Sequence, residues 1–208
     1  MMSENFFRVM PGAAGFFTSR QTVKGGTGLK DIFLCGDPGE KSVTQALLTA
    51  LSLYGGVRFF SPEKVSEGGV SAEFLLCECP SVPKIELTRG ILLLKNGLRP
   101  QKEPVSLPDG FFCVLEAQNR QAADLLQGSG AVVVSCGTGA KDTLSIAGLE
   151  SSGATISLQR NLSTLDGKVL EPHDFNVTFS VPRSPYQILF VSAALLLAGV
   201  DSQNGYII

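Results

Sequence analysis

The stretch from Asp31 to Gly56 constrains the fold more than any other part of the chain. Four apolar residues, Ile32, Phe33, Leu34 and Cys35, lead into a turn written Gly36-Asp37-Pro38-Gly39-Glu40-Lys41-Ser42, and an amphipathic run then reaches Tyr54. This order predicts a strand, a glycine turn and a helix. There the N–H groups of the turn and the positive end of the helix dipole converge on one point, a seat for an anion such as phosphate.

The residues of the turn compete with a phosphate for that seat. The common phosphate loop, G-x-x-x-x-G-K-[ST], sets a lysine against the phosphate charge and a hydroxyl against magnesium. Here Gly36 and Gly39 are followed by Glu40 before Lys41 and Ser42, which puts the lysine one place late for a shorter glycine loop. The candidate phosphate-loop residues are thus Gly36, Asp37, Gly39, Lys41 and Ser42. A helix start accounts for the same letters, with Asp37 as N-cap, Pro38 at the first helical position and Glu40 as the capping-box acid. On that reading the helix supplies its own carboxylates where a phosphate would lie. An acid at the mouth also repels a triphosphate, each unit-charge pair at about 4 Å costing about 4 kcal/mol at an effective dielectric near 20.

A chain of 208 residues without a linker-like stretch reads as one domain. Hydrophobic residues at 44%, charged residues at 17% and 23 glycines favour an α/β protein with a buried, mainly parallel sheet. The net charge of −2 supplies no attraction for nucleic acid or an anionic membrane, so neither is expected as a partner. The acidic start, Met1 to Asn5, lacks a signal-peptide pattern, and the longest apolar run, Ile188 to Val200, falls short of the ~20 residues of a spanning helix. A cytoplasmic location follows as the expectation. Five cysteines, most of them inside apolar runs, suit a reducing compartment. Cys35, Cys77, Cys79 and Cys136 are expected near the C-terminal ends of strands, where they read as small buried hydrophobes rather than a metal or redox cluster.

In chain order, Phe6 to Met10 reads as a short strand and the glycine-dense Lys24 to Gly28 as a loop. Strands are expected at Val57 to Ser61, Ala72 to Cys77, Ile91 to Leu94, Phe111 to Leu115 and Ala131 to Ser135, with a polar loop from Glu63 to Gly69 and an irregular crossover from Pro80 to Arg89. A helix is expected over Arg120 to Gln127. Beyond Asp142, short runs at Thr143 to Leu149, Ala154 to Leu158, Lys168 to Leu170 and Asn176 to Phe179, punctuated by Ser152-Gly153 and Asp166-Gly167, predict a small antiparallel sheet. His173, the lone histidine, reads as a solvated residue of a hairpin loop. A closing helix from Pro185 to Gly199 is apolar nearly all round.

Taken together, the pieces from Ile32 to Asp201 resemble the central, ATP-binding domain of the Mur ligases, whose shorter loop G-x-x-G-K-[ST]-[ST] is shared with folylpolyglutamate synthetases. The likeness rests on Leu115 to Asn119 at a strand end, the helix after it, Ser135-Cys136-Gly137, Asp142, the hairpins, and Arg183-Ser184-Pro185-Tyr186-Gln187 before the last helix. It implies a three-layer, mainly parallel sheet with a small antiparallel sheet near the C-terminus, and ATP with magnesium as cofactors. Glu78 resembles the family's magnesium-ligating glutamate, Asn119 and Asp142 fall in its nucleotide region, and Asn96 resembles the first part of a Thr-Asn-x-x-x-Asp-His strand end. The Asp-His pair is replaced by Gly97-Leu98-Arg99-Pro100. The span 1–208 is expected to be a single such domain, with 1–30 as an extension and without the family's N-terminal substrate domain or C-terminal ligase domain.

Two functions follow from the resemblance. The first is a domain with an eroded ATP site, a pseudoenzyme serving as a binding or partner module for an unidentified small molecule or protein. The alternative is an ATP-dependent carboxylate-amine ligase, or another nucleotide-binding enzyme, in which Lys41 and Ser42 reach the phosphates and Glu78 holds magnesium. The apolar circumference of the last helix also demands a cover, either Phe6 to Phe17 or a second copy in a homodimer.

Overall fold

The computed structural model describes residues 28–69, 71–101 and 105–208. The expected strand at Phe6 to Met10, the cover at Phe6 to Phe17 and most of the glycine loop at 24–28 lie outside them. In order the elements are β1 (Lys30–Cys35), α1 (Ser42–Leu53), β2 (Val57–Phe60), β3 (Val65–Gly68), β4 (Phe74–Cys79), β5 (Arg89–Leu94), β6 (Gly110–Glu116) and α2 (Arg120–Leu126). There follow β7 (Val132–Gly137), β8 (Leu144–Leu149), β9 (Gly153–Leu158), β10 (Leu162–Ser163), β11 (Val169–Leu170), β12 (His173–Thr178), α3 (Pro185–Leu197) and β13 (Tyr206–Ile207).

Eleven strands form one sheet in the order β13-β12-β9-β8-β7-β6-β5-β1-β4-β2-β3. β1 pairs in parallel with β4 on one side and β5 on the other, so its residues Ile32 to Cys35 face packed layers both ways and are almost wholly apolar. The parallel run continues from β5 through β6 to β7, and on the other side from β4 to β2. One core, below the sheet, joins Ile32 and Leu34 to α1 and α3, while a second, above it, joins Phe33 and Cys35 to Ala122 and Leu126 of α2 and to the loop residues Val82, Ile85, Leu98 and Leu107. The fold is therefore a three-layer α/β arrangement around a mainly parallel sheet.

The hairpins after Asp142 sit differently from the sequence reading. β8 meets β7 in parallel only where Leu144 and Ser145 lie beside Cys136 and Gly137, and β9 and β12 then add antiparallel strands to the same large sheet. The separate small antiparallel sheet near the C-terminus consists of β10 and β11 alone. The stretch expected as a polar loop at Glu63 to Gly69 contains edge strand β3, antiparallel to β2 with Val57 opposite Gly68. Its alternation of exposed and half-buried residues marks an edge whose apolar signal is too weak to read from sequence. The crossover from Pro80 to Thr88 is irregular, as expected.

α3 is buried from Ile188 through Leu197. It packs on β5 to β8 and against α1, and Leu162 and Leu165 of the β10–β11 segment join the same cluster, with the Leu165 N–H donating to the Leu197 carbonyl at 2.7 Å. Each fully buried Leu, Ile or Phe here contributes about 1.5–3 kcal/mol relative to exposure. Among the described residues, α1, Leu162 and Leu165 thus pack on α3 in addition to the sheet.

Candidate functional site

The strand ends of β1, β4, β5 and β6 and the N-termini of α1, α2 and α3 meet around the turn at Gly36 to Ser42. α1 begins at Ser42, with Lys41 in the N-cap position and without a side-chain cap of its own, so Asp37 and Pro38 do not open the helix as the sequence suggested. Asp37 instead closes an Asx turn, its Oδ1 accepting from the Gly39 N–H at 2.9 Å. Glu40 does place a carboxylate on the helix start. Its Oε1 accepts from the N–H of Ser42 at 2.9 Å, from the N–H of Val43 at 3.4 Å and from the Ser42 hydroxyl. A carboxylate there satisfies orphan donors and complements the helix dipole, as a phosphate would.

The other half of the site is a buried cation. Lys95, the residue after β5, is 1% exposed and turns its ammonium back under the loop. Nζ donates to the carbonyls of Glu40 at 2.6 Å and Asp37 at 3.2 Å, to Oε1 of Glu78 at 2.8 Å and to the Thr44 hydroxyl at 3.4 Å. Glu40 Oε2, which has no hydrogen-bond donor of its own, lies 3.8 Å from the same ammonium. Gly36 makes this approach feasible: it has φ +142°, and a Cβ on it would stand 2.5 Å from Lys95 Cβ.

Glu78 is the acid this cation answers. Its side chain is 1% exposed, and Oε1 also accepts from the Thr44 hydroxyl at 2.7 Å while Oε2 faces Lys41 Nζ at 3.3 Å. Burial pushes its carboxyl up, but the hydrogen bonds from Lys95 and Thr44 and the charges of Lys95 and Lys41 outweigh it and hold the group below the ordinary carboxylate range. Lys41 is therefore paired with the buried Glu78. A recess of about 200 Å³ lined in part by Lys41, Gln45, Phe59, Ser61 and Lys64 opens on this side.

Asn119 sits on the other flank as the N-cap of α2, its Oδ1 accepting from the Ala122 N–H at 3.0 Å while its amide donates to the Lys95 carbonyl and to Asn96 Oδ1, each at 3.2 Å. Asn96 in turn donates to Glu116. These residues, with Gln118, Arg120 and Gln121, line a polar recess of about 300 Å³ at the carboxyl ends of β5 and β6. Asp142 has another partner: Oδ2 accepts from the Gly139 N–H at 2.9 Å within its own turn, against Gly137, where an added Cβ would lie 2.3 Å from that oxygen. His173 opens β12 rather than lying in a loop, half-buried, with Nδ1 on the Glu171 carbonyl at 2.7 Å and Nε2 on the Ser202 hydroxyl at 2.8 Å.

At the third side, the start of α3 is clamped to the start of α1. Ser184 and Gln187 form a capping box, and Gln187 Nε2 donates to the Ser42 carbonyl at 3.0 Å. The structure thus brings Gly36, Asp37, Gly39, Lys41, Ser42, Glu78 and Asn119 to one region. Sequence reasoning missed Lys95 and Thr44. The only available signal for Lys95 was its place directly after the unbroken apolar run Ile91 to Leu94, at a strand end beside the loop.

No protein-family model matches the sequence. No curated protein matches it either. Solved structures do match in fold. A murein peptide ligase, Mpl, from Psychrobacter arcticus superposes with a TM-score of 0.55 at 12% identity, covering 85% of this chain and 45% of the ligase. The UDP-N-acetylmuramate:L-alanyl-γ-D-glutamyl-meso-diaminopimelate ligase from Neisseria meningitidis gives 0.53 at 14% identity, covering 84% and 63%. A bifunctional folylpolyglutamate synthase/dihydrofolate synthase, solved with Mn, AMPPNP and L-glutamate bound, gives 0.52 at 10% identity, covering 86% and 56%. The chain spans about half the length of these neighbours. At these identities the likeness defines the fold, which is that of the Mur ligases and their folate-ligase relatives.

Proposed function

We propose that this Mur-ligase-like domain is a non-catalytic binding or partner module whose phosphate loop is filled from within. The observation that carries the reading is the pair of opposite charges set at the loop, Glu40 within it and Lys95 beneath it. The Glu40 carboxylate takes the Ser42 and Val43 amides, and the Lys95 ammonium takes the oxygens of Glu78, Thr44, Asp37 and Glu40. A triphosphate would have to displace the first and a divalent cation the second, so the residues as arranged do not fit Mg-ATP. Displacement would take the helix-start amides from the half-buried Glu40 and strip the buried Lys95 ammonium of its partners, the latter costing about 3–5 kcal/mol.

The neighbouring polar recess beside Asn96, Glu116 and Asn119 is the seat we assign to the module's ligand, because open α/β sheets present ligands at the carboxyl ends of their strands. The second reading, a nucleotide-dependent ligase, draws support from the fold of the neighbours and from Lys41, whose side chain is 42% exposed at the start of α1. Calorimetry separates the two. Titration of the protein with Mg-ATP to about 1 mM is expected to give dilution heat only; with Kd under 1 mM, binding releases more than about 4.1 kcal/mol of free energy and yields a saturable isotherm. Sub-millimolar binding that disappears in Lys41→Ala would overturn the module reading in favour of a nucleotide-binding one.

A further inference from the structure

Three of the cysteines expected near strand ends as small buried hydrophobes, Cys35, Cys77 and Cys79, lie together beside the loop. Cys35 ends β1 and Cys79 ends β4, and in the parallel ladder the two are direct register partners. Cys35 and Cys77 belong to the core above the sheet, and Cys79 packs on that same core, so the thiols share a face. Cys136 lies in the opposite core. Paired strands stand about 4.8 Å apart, within the Cα separation of about 4.4–6.8 Å that a disulfide bridges. The pair also frames the site: Cys35 directly precedes Gly36, whose N–H donates to the Cys79 carbonyl at 3.0 Å, and Cys79 directly follows Glu78.

The two thiols are unequal. Cys35 is fully buried, whereas Cys79 is half-buried at the strand end. A half-buried cysteine with a second, buried cysteine in register on the neighbouring strand and on the same face is the arrangement of a peroxide-reactive cysteine with its resolving partner.

We propose that Cys79 and Cys35 are a thiol–disulfide modification site that reacts with hydroperoxides and ties β1 to β4 at the base of the loop. The Cys79 thiolate attacks the peroxide, so that an S–O bond forms, the O–O bond breaks and hydroxide leaves to become water. The Cys35 sulfur then attacks the Cys79 sulfur; the S–S bond forms, the S–O bond breaks, and the Cys35 proton leaves with the second hydroxide as water. Two thiols are oxidised by two electrons and one hydrogen peroxide is reduced to two waters. The site does not depend on whether the loop binds a nucleotide.

The test treats the folded protein with a small excess of hydrogen peroxide, blocks free thiols under denaturing conditions, and maps tryptic peptides by mass. The expected product has lost two hydrogens, retains three of five blockable thiols, and links the peptide at 31–41, which holds Cys35, to the peptide at 65–84, which holds Cys77 and Cys79. Cys77→Ser is expected to keep the link and Cys79→Ser, at a half-buried position that tolerates the change, to abolish it, with circular dichroism verifying that both fold. Dithiothreitol is expected to restore all five thiols. A link through Cys77, a disulfide between chains, sulfinic acid at Cys79 without a link, or five unreacted thiols would each overturn the proposal.

Discussion

Lys95 is 1% exposed, and its ammonium meets protein oxygens in place of water. Removing the ammonium leaves Glu78 buried with only Thr44 and Lys41, so Lys95→Ala is expected to lower the unfolding free energy by about 3–5 kcal/mol, read from urea denaturation. Replacing both charges, Lys95→Met with Glu78→Gln, is expected to cost less than Lys95→Ala alone. Glu78 also sets an acid limb. A carboxyl held below its ordinary value near 4.5 contributes stability that is complete above that value and is lost as pH falls through its depressed folded value; Glu78→Gln is expected to flatten that limb. Asp31 acts in the opposite sense. Burial, opposed by the nearby Arg89, raises its carboxyl from 3.8 to about 6, so ionising it costs stability as pH rises between those values. Asp31→Asn is expected to raise the melting temperature at pH 7 and to leave it unchanged at pH 3. These charges explain why the site was half legible in the sequence. Glu40 announced itself by interrupting a glycine loop, and its seat on the helix start was readable, but Lys95 lies 55 residues away along the chain and only the parallel pairing of β1 with β5 brings it under the loop.

α1 shows how an element can be legible while its boundary is not. The apolar spacing of Val43, Ala46, Leu47, Ala50 and Leu51 marks the helix, yet Asp37-Pro38 imitates a helix start so well that the true beginning at Ser42 lies hidden behind an Asx turn. Strands β1, β5 and β6 were plain because burial on both faces leaves an unbroken apolar run; edge strand β3, with one exposed flank, was not. α3 was plain for the same reason, and its start can be weighed. Ser184→Ala removes the hydroxyl that accepts from the Gln187 N–H, and is expected to cost about 1 kcal/mol in thermal or chemical denaturation. Because Gln187 also donates to the Ser42 carbonyl, Gln187→Ala is expected to cost more than a lost cap alone and to speed hydrogen exchange at the first turn of α1. Equal costs for the two variants, with α1 exchange unmoved, would sever that link.

Over the whole molecule, a parallel sheet sandwiched by helices forms the frame, and the antiparallel strands β8, β9 and β12 enlarge it on one side. No helix among the described residues is long and apolar enough to cross a membrane. With α3 enclosed by its own chain, sedimentation at micromolar concentration is expected to show a single species of 22.0 kDa, and a concentration-dependent larger species would place a self-association surface elsewhere on the molecule. The frame delivers the ends of β1, β4 and β5 to one point, and the central claim is that this point is already occupied by Glu40 and Lys95. Nuclear magnetic resonance of the Lys95 side chain, with ¹⁵N at Nζ, observes that directly. The account predicts an ammonium resonance whose protons exchange slowly with water, which keeps its position when Mg-ATP is added to millimolar concentration and which is lost in Lys95→Met. An ammonium in fast exchange, or one displaced by Mg-ATP together with shifts of the Ser42 and Val43 amides, would contradict it.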